Sequence, residues 1–217
     1  MRKWAGCFAV MLAVALVAGC QSANGQASTN TASSTAAPAA PAPAQPVTPT
    51  PDATAAPAAP AATPVAVTPP VRIKAGVTDK MTDSAGNVWL PDQGFADGET
   101  FEATDAEITN TPDAALYRTE RFSMTAYNFA VPNGKYTVKL LFAEVYSGIS
   151  GPGDRVFSFN VQGHDFKDFD IWVKAGGPNK AYIESVDVEV TNGKLDITFT
   201  PNVENPKISG IEILPRS

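Results

Sequence analysis

The chain has 217 residues and is acidic, with 16 Lys and Arg against 22 Asp and Glu. That balance excludes nucleic acid as a partner, because phosphates demand a basic patch. Its two cysteines, Cys7 and Cys20, both lie near the start, so the remainder has no disulfide, thiolate metal site or cysteine nucleophile.

Residues 1–20 read as an export signal. Met1-Arg2-Lys3 supplies a basic start, and Trp4 to Gly19 carries no charge, too short an apolar run for a comfortable membrane span. Val17-Ala18-Gly19-Cys20 resembles the bacterial lipoprotein cleavage box, in which small residues admit the peptidase and the cysteine takes the lipid. An uncleaved anchor is the competing reading. The resemblance implies a diacylglycerol and an N-linked acyl chain on Cys20, and stable anchoring needs more than one chain. The expected location is the bacterial cell envelope, held by lipid alone. Gln21 follows the cysteine, which points to the outer membrane where two membranes are present.

Residues 21–70 hold 11 of the 19 prolines, among Ala, Thr and Ser. Such a composition buries too little apolar surface to offset ordering entropy, so a disordered linker with polyproline II bias is expected. At about 3.1 Å per residue it would reach roughly 150 Å when fully extended. It serves equally as a stalk for display or as a neutral spacer.

Residues 71–217 form the expected domain. The 71–75 stretch alternates as a first strand, and residues 83–98 form a turn-rich loop bearing Trp89 and Phe95. Weak alternation over 115–124 predicts another strand, and 127–131 leads into Pro132-Asn133-Gly134. From Asn133 onward the pattern is clearest. Tyr136, Val138, Leu140 and Phe142 point one way; Thr137, Lys139, Leu141 and Ala143 point the other. After a Gly/Pro/Ser loop, Phe157, Phe159 and Val161 oppose Ser158, Asn160 and Gln162. Asn-Gly pairs at 133–134 and 192–193 predict hairpins. A further strand is expected over 165–174, with Trp172 on its polar face beside Asp170. Strands over 182–191, 194–200 and 207–214 complete the set. No stretch keeps a helical apolar period, so the fold class is all-β, an antiparallel β-sandwich of jelly-roll type.

Catalytic chemistry has few candidates. His164, the single histidine, sits in the turn context Gln162-Gly163-His164-Asp165. Asp154, Asp168 and Asp170 could face a cation, but one D-x-D falls short of a calcium loop. No metal or cofactor is expected. Glu144, in Phe142-Ala143-Glu144-Val145, is the best glycosidase carboxylate; the plainer reading is a structural ion pair with Arg118 or Arg121.

Aromatics are more informative. A sugar ring has an apolar face that a flat side chain covers and a hydroxyl rim that carboxylates and amides satisfy. Tyr146 stands at the mouth of the 146–155 loop, where a ligand is expected. Trp172 and Phe95 are further candidates, each with a plainer role as lid or core.

The motifs Leu116-Tyr117-Arg118-Thr119-Glu120-Arg121-Phe122, Asn133-Gly134-Lys135-Tyr136, Phe142-Ala143-Glu144-Val145-Tyr146, Lys167-Asp168-Phe169-Asp170-Ile171 and Asn205-Pro206-Lys207-Ile208 occur in the order seen in malectin and malectin-like domains. The resemblance spans nearly all of 71–215 and implies a carbohydrate-binding β-sandwich without catalytic activity. It implies a preference for glucose-containing oligosaccharides, the animal member binding the diglucosylated end of an N-glycan. Carried over by position, the family's sugar-contacting residues fall on Phe122, Tyr146, Ser147, Glu204 and, less directly, Phe95. Here the sequence departs from the pattern: Phe122 lacks a phenolic hydroxyl, Ser147 replaces a ring, and Glu204 is longer than the usual aspartate. The sequence expectation is a lipid-tethered, non-catalytic binder of oligo- or polysaccharide through Phe95, Phe122, Tyr146, Trp172 and Glu204. The alternatives are an envelope protein–protein interaction module, which the lost ring at Ser147 would suit, and a glycosidase acting through Glu144.

Overall fold

The computed structural model describes residues 63–217; the export signal, Cys20 and most of the linker lie outside them. Two sheets pack face to face. In one, Ala126–Ala130, Lys194–Val203, Val156–Val161 and His164–Phe169 run in that order. In the other the order is Tyr182–Val190, Gly134–Phe142, Gly210–Pro215 and Val71–Lys74. Nearly all pairings are antiparallel, as expected for the sandwich. Val65–Ala66, within the stretch read as the end of the linker, pairs in parallel with Phe129 and Ala130.

Period-2 patterning explains the core. Tyr136, Val138, Leu140 and Phe142 from one sheet meet Phe157, Phe159 and Val161 from the other, and all are buried. The Phe142 ring lies 6.1 Å from Phe157, 5.9 Å from Phe159 and 5.0 Å from Phe169. Gly134–Phe142 and Val156–Val161 therefore belong to opposite sheets, and each supplies the layer that the other's apolar face needs.

Both Asn-Gly hairpins are corrected by this arrangement. Asn133-Gly134 joins Ala126–Ala130 to Gly134–Phe142, and Asn192-Gly193 joins Tyr182–Val190 to Lys194–Val203, each crossing between sheets. The two arches are tied side by side: Gly193 N donates to Asn133 Oδ1 at 2.7 Å, and Val131 N donates to Gly193 O at 3.0 Å. Burying both apolar faces outweighs the local preference of the dipeptide for a primed hairpin. The primed turn falls instead at Gln162-Gly163, with φ of 50° and 91°, linking Val156–Val161 to His164–Phe169. His164 opens that second strand.

Two predicted strands contain short helices. Ala115–Arg118 is helical before the Thr119–Phe122 strand begins. Ile171–Ala175 is helical after His164–Phe169. Asp170 caps the latter, accepting from Val173 N at 3.1 Å, and Gly176 ends it at φ 76°, where a side chain would be strained.

Leu141 and Ala143 point away from the main core into a second one. There they meet Trp89, Ile108, Leu116, Tyr117 and Val145. This cover packs a small sheet of Glu99–Glu102, Thr119–Phe122 and Lys207–Ile208 beside the end of Gly134–Phe142. Lys74 helps to fix it: its buried Nζ donates to the carbonyls of Ala75 (2.6 Å), Thr119 (2.7 Å) and Ser209 (2.9 Å).

Candidate functional site

A hollow of about 260 Å³ opens where these segments converge. Phe101 comes from the small sheet's edge strand, Phe122 ends the next strand, and Tyr146 follows Gly134–Phe142. Glu204 and Asn205 reach it from the turn after Lys194–Val203. Tyr146 is 45 % exposed, and its ring meets Phe101 edge-on at 5.9 Å and 86°. Behind the Tyr146 ring lies Gly148, where a Cβ would collide with the ring carbons. The glycine is thus what allows the ring its position.

Beneath the hollow is a buried charge network. Glu120, Glu144, Arg155 and Lys207 are all at most 5 % exposed. Arg155 Nε donates to Glu144 Oε2 at 2.8 Å, and Lys207 Nζ donates to Glu144 Oε1 at 3.2 Å. Lys207 also pairs with Glu120. Tyr146 N donates to Glu144 Oε1 at 3.1 Å, and Arg155 Nη1 donates to the carbonyl of Asn205. Two cations balance two carboxylates, as burial of charge requires. Burial still pushes the Glu120 carboxyl above its ordinary range, with Lys207 opposing it. The network fixes the backbone at Tyr146 and Asn205, both of which line the hollow.

Glu144 therefore sits in an ion pair, but not with Arg118 or Arg121 as the sequence suggested. Arg118 Nε donates to Ala106 O at 3.0 Å, and Arg121 Nε donates to Asp92 Oδ2 at 2.7 Å. Both partners of Glu144 are remote in sequence, and spacing along the chain carries no sign of them.

Of the five carbohydrate-binding candidates, Phe122, Tyr146 and Glu204 line this hollow. Phe95 does not. It packs its ring under the Arg121 guanidinium, 3.4 Å from the ring centroid, and edge-on to Tyr127 at 6.2 Å. The early-loop aromatic that reaches the hollow is Phe101. Trp172 is also elsewhere, half-buried on the Ile171–Ala175 helix, because Asp170 caps a helix where continued strand was expected. Phe101, Glu120, Arg155 and Asn205 are the residues the sequence did not single out as lining this hollow. Asn205 and Glu120 stand inside the motifs that carried the resemblance, a signal that could have found them.

The acidic candidates for a cation serve local structure. Asp154 accepts from Ser150 N, Ser150 Oγ and Gly151 N at 2.9–3.0 Å, and the Ser150 hydrogen bonds hold its carboxyl below the usual range. Asp168 accepts from Asn202 Nδ2 at 3.1 Å, and Asp170 accepts from Gly153 N at 2.8 Å. Among the described residues no group of three or more His, Cys, Asp or Glu side chains is arranged to hold a metal ion.

The hollow offers flat rings for stacking, Glu204 as an acceptor and Asn205 as donor and acceptor. Arg155 Nη2, which makes no hydrogen bond among the described residues, adds donors from the floor. Fold and hollow together define a β-sandwich domain with an aromatic-lined hollow.

The chain belongs to the malectin domain family, whose model matches residues 70–211. Malectin-A of Xenopus laevis is 32 % identical over 124 residues, covering 49 % of this chain and 44 % of that protein. A probable LRR receptor-like serine/threonine-protein kinase of Arabidopsis thaliana is 31 % identical over 162 residues, 65 % of this chain and 15 % of the kinase. The chain thus spans less than half the length of each. Among solved structures, a Bacteroides uniformis β-glucuronidase superposes with a TM-score of 0.61 at 22 % identity, over 68 % of this chain and 18 % of the enzyme. The complex of the plant peptide RALF23 with FER and LLG2 gives 0.57 at 20 % identity, over 66 % and 47 %. These likenesses show the fold.

Proposed function

We propose that the hollow between Phe122, Tyr146 and Glu204 binds a sugar ring of an oligo- or polysaccharide and performs no chemistry on it. The observation that carries this reading is the convergence of Phe101, Phe122 and Tyr146 with Glu204 and Asn205 around one opening of about 260 Å³. Rings cover the apolar face of a pyranose while the carboxylate and amide meet its hydroxyls. Family membership supports the same reading, as does the glucose preference that the resemblance implies. A glycosidase role is disfavoured because both Glu144 oxygens are engaged by buried cations and Glu144 is not on the hollow. Isothermal titration of the full-length chain with maltose, nigerose and a panel of plant and bacterial glycans tests it. Heat of binding that Tyr146→Ala abolishes is the expected result; a folded sample that gives no heat with any glycan overturns it.

A second reading is a module that grips a polypeptide of the cell envelope. It is favoured by the solved complex of FER, a protein of like fold, with the peptide RALF23 and LLG2. Ser147, exposed where the pattern has a ring, leaves the rim more open for an extended chain. A partner captured from envelope extract by both the parent and Tyr146→Ala would favour this reading.

We also infer, from sequence alone, that Cys20 is lipidated and that the linker read over residues 21–70, less the Val65–Ala66 strand that joins the sheet, holds the domain off a bacterial membrane. On that basis the module acts at the cell envelope.

A further inference from the structure

A second hollow, of about 400 Å³, lies on the outer face of the sheet containing Gly134–Phe142 and takes none of the residues of the first. Leu141 is on its floor, Ile183 and Tyr182 of the Tyr182–Val190 strand form one wall, and Leu116 and Asp113 form another. Ile183 is 47 % exposed, so an apolar strip reaches the opening.

Its electrostatics are one-sided. No lysine or arginine lines it, whereas Asp83, Asp113 and Glu212 do. Glu212 is neutralised by Arg72 at 2.6 Å and Lys139 at 2.9 Å. The other two meet only neutral donors. Asp83 accepts from Asn87 Nδ2 at 2.9 Å and Trp89 Nε1 at 3.1 Å, and Asp113 accepts from Ser84 N at 2.6 Å and Ser84 Oγ at 3.0 Å. Partial burial works against the Asp83 charge, but these hydrogen bonds win and keep its carboxyl below the usual range. The hollow thus carries two uncompensated negative charges.

A second observation points to a ligand. Tyr117 is 2 % exposed, and its hydroxyl makes no hydrogen bond with any described residue. It lines this hollow, in the field of Asp113 and Glu212. The hydroxyl itself keeps solvent access, and the free space that Tyr117 lines is the hollow. Tyr117, Asp113 and Asn110 all line the hollow and each carries an acceptor oxygen, and an ammonium has three N–H donors to share among them.

We propose that this second hollow binds an alkylammonium group, its stem on the Leu116–Ile183 strip and its charge against Asp113 and Tyr117. The amine comes either from a free small molecule or from a lysine side chain of a polypeptide.

Methyl-resolved NMR of the full-length chain tests this with n-butylammonium chloride and N-acetyl-lysine methylamide as probes, and n-butanol and butyrate as controls. Both ammonium probes are expected to shift the Ile183 and Leu116 methyls saturably, and butyrate to leave them unmoved. Asp113→Asn weakens the response about threefold, the scale of one exposed charge contact, and Tyr117→Phe, which keeps the ring, weakens it without lowering the melting temperature. Saturation by the lysine derivative alone assigns the site to a polypeptide lysine, and saturation by both shows that a free amine suffices. Equal shifts with butanol, or an Asp113→Asn response equal to the parent's, overturn the proposal. Because no residue is shared with the first hollow, loss of glycan binding there leaves this result intact.

Discussion

Arg155 Nε stands 2.8 Å from Glu144 Oε2, drawing the two ends of the 146–155 loop together beneath the candidate site. The same guanidinium holds the Asn205 carbonyl, and the same carboxylate accepts from Tyr146 N. The rim of the candidate site, part strand and part loop, is in this way anchored to a buried, charge-balanced floor. Removing one partner leaves an uncompensated buried charge, which costs about 3–5 kcal/mol. Glu144→Ala should therefore lower the unfolding free energy by that amount in a chemical denaturation series. A loss below about 1 kcal/mol, the range of exposed pairs, would show that the network is not the floor described.

Gly148 sits behind the Tyr146 ring, and a Cβ there has no room unless the ring moves. Gly148→Ala should swing the ring out of the hollow while the sandwich persists. The expected readout is glycan affinity reduced at least as much as by Phe122→Ala, with a melting temperature near that of the parent. An unchanged affinity would show that the ring's position is irrelevant to binding.

Titration has two opposed limbs. Burial pushes the Lys74 ammonium down to about 7 from 10.5, with Asp92 and Glu120 opposing. The unfolded chain then holds more protons than the folded one between these values, so stability rises with pH across that window. Burial also pushes Tyr117 up to about 12 and Tyr127 well above 10. Above pH 10 the unfolded chain loses phenolic protons that the native state keeps, and stability falls. Denaturation midpoints should climb from pH 7 toward 10 and then drop, and Lys74→Met should flatten the climb. A midpoint that falls steadily from pH 7 would contradict the Lys74 assignment.

The proposed lipid anchor rests on Val17-Ala18-Gly19-Cys20. Cys20→Ser should leave the circular dichroism of the β-domain unchanged and move the protein from the membrane fraction to the soluble one. Retention in the membrane fraction would mean that something other than a lipidated Cys20 holds it.

Strand positions and the inward faces were legible because a period of two is a local property. Tyr136 to Phe142 and Phe157 to Val161 reveal their buried sides within a few residues. What the strands pack against is not local. Asn133-Gly134 and Asn192-Gly193 look like hairpins in isolation, and only the facing core makes arches of them. Asp170 and Gly176-Gly177 were local helix signals masked by the alternation of Phe169, Ile171 and Val173. For the site, motif order brought Phe122, Tyr146 and Glu204 to one hollow. Phe95 and Phe101 are both aromatics before the Thr119–Phe122 strand, and choosing between them needs the pairing of Phe101 with Glu120 across the small sheet. Arg155 and Lys207 were hidden because ion pairing across 11 and 63 residues leaves no spacing to read.

The most direct test of the central claim is a crystal of the protein soaked with glucose oligosaccharides. Density for a pyranose ring lying on Tyr146, with hydroxyls within hydrogen-bond distance of Glu204 and Asn205, is the predicted result. A well-ordered crystal in which the sugar is absent from that hollow, or is bound only elsewhere, would contradict it.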